Sequence, residues 1–281
     1  MIKTKILDME NDGLDIAVSG QMLFIRNKSK IYKYDLSDFR ECISNEILKK
    51  DGKSRKMSVF GDYIFFVDFL DLYIIDKNTL QVIDNLRLGE NLSTDLGEVM
   101  WFDHPNAYIR VRNGWVYVLD IITKNTNKVK VCESSFWHLS WCITDNFLYA
   151  GTVTGELLEI KKDSLNVTCT KQLFKKNIYG VIYEDGFIYT AAPQPPDQAI
   201  AVIDAHTFET VCVAKKAISG MLHIFHVEGD NIYIKGNKVP LSAWDKKTLK
   251  PLGQTDFPIG IKLQDNSIIT YDKTGLYKYS D

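Results

Sequence analysis

The sequence predicts an all-β fold: a single seven-bladed β-propeller of four-stranded antiparallel blades, its ring closed by an N-terminal strand that completes the C-terminal blade. Three observations predict it. A short apolar strand ending in an acid, then a few polar residues with Thr or Leu, then another apolar run, returns about every 41 to 44 residues, and a period of that size built from strands marks a repeat architecture. Seven turn signals rich in Gly, Asn and Asp punctuate runs of β-branched and aromatic residues. The last repeat is one strand short, and the N-terminal segment Thr4-Lys5-Ile6-Leu7-Asp8-Met9 can supply the missing strand.

The repeated phrase is clearest at Ile74-Ile75-Asp76-Lys77-Asn78-Thr79-Leu80 and Val202-Ile203-Asp204-Ala205-His206-Thr207-Phe208. Further copies lie at Val118-Leu119-Asp120 and Ala243-Trp244-Asp245, with weaker ones at Tyr34-Asp35-Leu36-Ser37 and Glu159-Ile160-Lys161-Lys162. Between the first and second strand of each repeat stand Ser19-Gly20-Gln21, Gly61-Asp62, His104-Pro105-Asn106, Asp145-Asn146, Asp185-Gly186, Gly229-Asp230-Asn231 and Asp265-Asn266. Tight hairpins need such residues for positive φ or for side-chain turn bonds. The runs that follow, such as Tyr63-Ile64-Phe65-Phe66 and Phe187-Ile188-Tyr189, suit strands packed on both faces. The approximate blades are 14–48, 54–90, 97–134, 137–175, 178–217, 219–257, and 259–281 plus 1–10. The connection across 191–199 carries Pro193, Pro195 and Pro196 and outgrows its siblings, a modest pointer to function.

The repeat fills the 281 residues, leaving no room for a second domain. A formal net charge of −2 gives no electrostatic footprint for nucleic acid or an anionic membrane. No run of 18 apolar residues is present, and the N-terminus has a basic start followed by acids rather than by an apolar stretch. The five cysteines, Cys42, Cys132, Cys142, Cys169 and Cys212, are odd in number and without paired spacing, which reads as buried or half-buried free thiols in a reducing compartment. The expectation is a cytoplasmic monomer that touches neither nucleic acid nor membrane.

The phrases at 202–207 and 74–79 are similar to the PQQ-type propeller repeat. Trp244-Asp245, and the turn Gly151-Thr152-Val153-Thr154-Gly155, resemble the third strand of WD repeats and the turn before it. The chain thus resembles the quinoprotein-like and WD-repeat-like propeller superfamily along its whole length. It departs from WD repeats in lacking their Gly-His pair. It departs from quinoproteins in reading Gln81-Val82-Ile83 and Glu209-Thr210-Val211 where they place a Trp. No cofactor is therefore expected, PQQ included.

In a propeller, segments leading into the innermost strands ring the mouth of the axial channel, where several repeats can build one concave site. There the candidate ligand-binding residues are Glu98, Trp101, Trp137, His138, Trp141, Tyr179 and His223. Phe136-Trp137-His138, with Trp141 close behind, is the densest aromatic cluster of the chain, and Trp and Tyr supply large contact area with a polar tip. Blade-to-blade packing is the competing reading of the same aromatics. His223 and His226 are three apart on a strand, hence on opposite faces, and share no metal unless a bulge intervenes. No metal is expected. Lysine doublets at 49–50, 161–162, 175–176 and 215–216 read mostly as solvated loops, and all but 161–162 fall between an outer strand and the next inner one, where they can form a positive rim. No phosphate loop or catalytic template is present. The sequence reads as a non-catalytic binding or scaffold propeller that recognises a protein or other ligand at the channel mouth. The alternative is a small-molecule or carbohydrate propeller, or an enzyme, with a site assembled from single residues around the channel.

Overall fold

The computed structural model of the protein describes residues 1–8, 14–27, 29–47, 57–68, 71–87, 100–110, 113–218, 220–236, 239–272 and 275–280. Among them are 28 strands and no helix. The chain divides into two compact units, Met1–Leu96 with Phe257–Asp281, and Gly97–Asp256.

The first unit opens with β1 (Ile2–Leu7). An antiparallel sheet follows, made in chain order of β2 (Leu14–Ser19), β3 (Met22–Asn27), β4 (Lys30–Asp35) and β5 (Glu41–Glu46). A second contains β6 (Met57–Phe60), β7 (Tyr63–Asp68), β8 (Asp71–Asp76) and β9 (Val82–Arg87). In the second unit, β10 (Met100–Asp103), β11 (Asn106–Arg110), β12 (Trp115–Asp120) and β13 (Thr126–Lys130) form one sheet. Next come β14 (Phe136–Ile143), β15 (Phe147–Thr152), β16 (Glu156–Lys161), β17 (Val167–Gln172), β18 (Gly180–Glu184), β19 (Phe187–Ala192), β20 (Ala199–Asp204) and β21 (Thr210–Ala214). These eight make one sheet in which two antiparallel meanders join through a parallel bridge from Leu139 to Gly180. The unit ends with the sheet of β22 (Leu222–Glu228), β23 (Asn231–Gly236), β24 (Val239–Asp245) and β25 (Pro251–Gln254). The chain then returns to the first unit with β26 (Ile261–Lys262), β27 (Ile268–Asp272) and β28 (Gly275–Ser280). Their fourth partner is β1, which pairs antiparallel with β28 from Ile2 opposite Ser280 to Leu7 opposite Leu276. The N-terminal strand therefore completes the C-terminal sheet. Ile6 and Leu7 pack beside Leu276 and Ile269 against the neighbouring sheet's Leu23 and Ile25.

Burial follows strand position. Leu23, Phe24 and Ile25 of β3 are all fully buried, as second strands covered on both faces must be, while the outer strands β5, β9 and β17 alternate or stay exposed.

The repeated phrase is a turn with two locks. In six repeats it ends a third strand at Asp35, Asp76, Asp120, Lys161, Asp204 or Asp245. The residue four positions later, Phe39, Leu80, Lys124, Leu165, Phe208 or Leu249, has a left-handed φ between 53° and 62°. Non-glycine residues rarely adopt that region, and it is disfavoured by roughly 1–3 kcal/mol. The first lock offsets this cost. Asp76 Oδ1 accepts the N–H of Asn78 (2.9 Å) and Thr79 (2.7 Å) and the Thr79 hydroxyl (3.0 Å). Asp204 and Asp245 repeat all three bonds with the two and three residues beyond them, and Asp120 repeats the two amide bonds. Where the left-handed residue is leucine it packs inward, so that Leu80, Leu165 and Leu249 are buried, while Lys124 at the same position is exposed. In the second lock, the amide just after the strand donates to the turn between the first two strands: Leu36 to Gln21, Lys77 to Asp62, Ile121 to Pro105, Lys162 to Asn146, Ala205 to Gly186 and Lys246 to Asp230, all at 2.8–3.0 Å.

The doublet expected to be solvated is half so. Lys161 is exposed, but Lys162 is buried because its Nζ donates to Thr144 O at 2.9 Å and pairs with Asp103 of the preceding sheet. Lys246, at the same repeat position, reaches Glu184 Oε2 at 2.8 Å and Asp185 Oδ2 at 3.2 Å, again on the preceding blade-like meander.

The turn carboxylates bear on acid stability. Hydrogen bonds from Ser37, Thr79, Thr123, Thr207 and Thr248 hold Asp35, Asp76, Asp120, Asp204 and Asp245 below the ordinary carboxyl value of 3.8. A depressed folded-state pKa contributes stability that is present above the unfolded value and lost as pH falls through the folded one. The melting temperature should thus be insensitive to these groups near neutrality and fall below about pH 4. Asp76→Asn/Asp204→Asn should flatten that acid limb, with fewer protons taken up on unfolding, as measured by melting temperature against pH.

Candidate functional site

The aromatic cluster singled out by the sequence sits on an irregular stretch of β14. Phe136 pairs with Thr152 and Trp141 with Ala150, so residues 137–140 bulge out of the ladder. Ser140, fully buried, closes the bulge: its Oγ accepts the Trp137 N–H at 3.0 Å and donates to Trp137 O at 2.7 Å. The bulge carries Leu139 to Gly180 and joins the two meanders. Gly180 has no room for a side chain, since a Cβ there would meet the Phe225 ring at 2.5 Å.

The predicted residues fall into separate groups. Trp101 on β10 stacks on Trp141, centroids 5.7 Å apart, and Trp141 meets Phe136 edge-on at 4.7 Å. This group fills the space between the β10–β13 sheet and the following meander, together with Tyr108, Leu148 and Leu158. Trp141 is buried, as the blade-packing reading requires. Trp137 instead lies 4.6 Å from the ring of Tyr179, in the apolar cluster of Ile200, Leu222 and Phe225. His223 is exposed at an irregularity of β22, whereas His226 is half-buried with Nε2 3.3 Å from Glu228 Oε2. Glu98, like residues 49–56, lies outside the described residues, and of His138 only the backbone position on β14 is described. Among the described residues no three His, Cys, Asp or Glu side chains are grouped to hold a metal ion.

Three residues not singled out in the sequence organise this region: Ser140, Gln194 and Asp197. Gln194 Nε2 donates to the Tyr179 hydroxyl at 2.7 Å. Asp197 Oδ2 accepts the amides of Lys175 (2.9 Å) and Lys176 (3.0 Å). Both belong to the proline-rich loop between β19 and β20, which is thereby fixed to the segment leading into β18. The prolines were the legible signal, and the two polar anchors were not. Beside the loop runs an open groove of about 460 Å³, lined by Leu173, Phe174, Ala199 and Val213 with Lys175 and Lys215 at its border. At the opposite turns of the same two meanders is an open cleft of about 510 Å³ lined by Phe147, Tyr149, Tyr183 and His206. There Tyr149 donates to Glu159 Oε2 at 3.4 Å and Thr168 donates to Glu159 Oε1 at 2.6 Å, so this carboxylate is held by structure.

The thiols also differ in part from expectation: Cys42 and Cys169 are exposed on the outer strands β5 and β17, because outer strands are covered on one face only. Burial pushes the Cys132 thiol up to about 11 and raises Cys142 and Cys212 as well. These three are protonated at neutral pH and poor nucleophiles.

Ser140→Ala removes both bonds that close the bulge. It should cost about 1–3 kcal/mol in chemical denaturation and lower the protection of the Trp137 amide in hydrogen exchange.

No family model and no curated protein matches the chain. Among solved structures it is similar to BamB from Moraxella catarrhalis, a β-propeller of PQQ-like repeats, with a TM-score of 0.71 at 13% identity over 96% of this chain and 85% of that one. It is also similar to the computationally designed protein Ika8, with a TM-score of 0.63 at 10% identity over 98% of this chain and 99% of that one. At such identities the likeness shows the fold alone: a propeller type of fold built mainly of four-stranded antiparallel sheets.

Proposed function

We propose that the chain is a single seven-bladed β-propeller, closed by β1, that acts as a non-catalytic recognition module. Its partner is a protein, bound at the face bearing Trp137, Tyr179 and the proline-rich loop. The blade count follows from reading the eight-stranded sheet as two blades beside five four-stranded sheets. A monomer in the cytoplasm belongs to the same reading.

The observation that carries it is the anchored loop. Pro195 and Pro196 are exposed, yet the loop is fixed by Gln194 on Tyr179 and Asp197 on the amides of Lys175 and Lys176. Stiff, pre-positioned contact surface loses little conformational entropy when a partner docks, so more of the contact energy appears as affinity. Elsewhere among the described residues, several groups able to do chemistry are committed to the fold. The turn aspartates cap amides, Glu159 holds Thr168 and Tyr149, and three thiols are held protonated by burial.

The test is affinity capture from native lysate with cross-link mapping, comparing wild type with Gln194→Ala/Pro195→Ser/Pro196→Ser at matched melting temperature. The expected result is a protein cross-linked to the 191–199 loop or its neighbours and retained at least about tenfold less by the variant, as loss of a central contact predicts. Capture of nothing, together with a ligand-dependent rise in melting temperature on a metabolite panel, would replace this reading with the small-molecule one.

A further inference from the structure

We infer that β21 and the adjoining groove form a strand-addition site for an extended, acidic segment of a protein partner. The inference deepens the recognition reading above and rests on it.

The first observation is the character of the edge. β21 is the terminal strand of its sheet, so one side of its backbone has no strand partner among the described residues. Natural sheets blunt such edges with charge, proline or irregularity. The other outermost strands do so: β1 has Lys3 and Lys5, β5 has Glu41 and Glu46, β9 has Asp84 and Arg87, β13 has Lys128 and Lys130, β17 has Lys171, and β25 has Pro251 and Gly253. β21 reads Thr-Val-Cys-Val-Ala, without charge or proline; its one irregularity, a register shift against β20, is shared by β5, β9, β17 and β25 and does not set it apart. Val211 is 55% exposed and Val213 is 45% exposed, on the same face of the strand, while Cys212 and Ala214 pack inward on the next sheet. An unguarded apolar edge of this kind is a template for a further strand.

The second observation is what lies beside it. Val213 lines the groove of about 460 Å³ together with Leu173, Phe174 and Ala199, so an added strand could place alternate apolar side chains there. The border is cationic. Lys175, Lys176, Lys215 and Lys216 are exposed, and none of their ammonium groups is in an ion pair among the described residues. Asp197, which also lines the groove, has its carboxylate engaged by two backbone amides. An incoming segment alternating acidic and aliphatic residues satisfies both halves of the site: aliphatics in the groove, carboxylates toward the lysines. Charge complementarity of this sort raises the association rate and selects partners.

Fluorescence anisotropy tests it with the whole chain and three labelled nine-residue peptides: one alternating Glu and Val, one with Lys for Glu, and one with Ser for Val. The Glu–Val peptide should bind, more weakly as salt rises, and the other two should bind at least about tenfold more weakly, a loss in the range of hot-spot contacts. Lys175→Glu/Lys215→Glu, both solvent-exposed and expected to leave the melting temperature unchanged, should weaken the Glu–Val peptide by a similar factor. Hydrogen exchange should show new protection in Thr210–Ala214 on binding. Absence of Glu–Val binding, equal binding of either control peptide, indifference to the charge reversal, or unchanged exchange in Thr210–Ala214 would each overturn the inference. If lysate capture through the proline-rich loop succeeds while these fail, the recognition reading stands and only this site falls.

Discussion

The locked turn that ends six third strands, with a backbone bond in all six and an aspartate in five, is the constraint on which the other features depend. A four-stranded meander has no internal device to fix how its outer strand returns, and the first-to-second and third-to-fourth turns lie at the same end. The chain joins them by one backbone bond, such as Lys77 N–H to Asp62 O at 2.9 Å, and gives the third turn a left-handed residue to reverse within five positions. Left-handed Leu or Phe is a poor local choice and a good global one. Glycine would accept the φ more readily, but it would leave unfilled the space that Leu80, Leu165 and Leu249 occupy. The aspartate offsets the local cost with hydrogen bonds to two amides that would otherwise point into the turn without a partner. Backbone economy and core packing are thus settled by one short phrase, which explains why it recurs while most other positions vary between repeats.

The same turn sets the relation between neighbouring sheets within the second unit. Lys162 and Lys246 each follow the strand-ending residue directly, and each carries its ammonium across to the preceding sheet's first turn, to Asp103 or to Glu184 and Asp185. Between the sheets the contacts are apolar and close, to the point that Gly151 and Gly180 face Ile178 and Phe225 with no room for a methyl group. Polar clasps lie at the turns and dry packing lies between. This arrangement keeps the carboxylates Asp103 and Asp185 at the water while the lysine stems and ammonium groups are covered, and it leaves the space between the sheets to dispersion and hydrophobic burial.

Most of the fold was legible because its determinants are local. Gly20, Gly61, Gly186 and Gly229 at hairpin turns all take positive φ, and the strand-ending acids mark third strands directly. The N-terminal strand was legible by deficit, since a three-stranded last repeat leaves an edge that Ile2–Leu7 fills. The candidate site was legible only in outline. Trp137 and Tyr179 do meet, but Trp101 and Trp141 belong to a different apolar cluster, because a register shift inside β14 sends Trp137 and Trp141 into different clusters. Nothing local in Trp-His-Leu-Ser announces a bulge, and the Ser140 hydroxyl that closes it is indistinguishable in sequence from a small residue at a crowded strand start. Gln194 and Asp197 were hidden for a similar reason: their partners, Tyr179 and the amides of Lys175 and Lys176, lie 15 to 22 positions away in sequence. A side chain whose role is to hold a distant backbone leaves no periodic trace.

These determinants also separate what is constrained from what is free to specialise. The turns that carry the locks repeat in bond pattern from meander to meander. The opposite end, where the second strand passes to the third and the outer strand passes to the next inner one, is tied by its own backbone bonds in four repeats, Ile47 N–H to Ser29 O, Val131 to Gly114, Leu173 to Gly155 and Ala217 to Gln198, but its described loops differ in length and composition. It holds the features that differ between repeats: the proline-rich loop with its two polar anchors, the lysine doublets at 175–176 and 215–216, and the uncharged edge of β21. Selection on a repeat protein can alter such places one repeat at a time without loosening the scaffold, since each repeat's stability is set mainly by itself and its neighbours. Among the described residues, the proline-rich loop, its two polar anchors and the uncharged edge of β21 fall on one pair of adjacent meanders, so a change in any of them leaves the locked turns of the other sheets untouched.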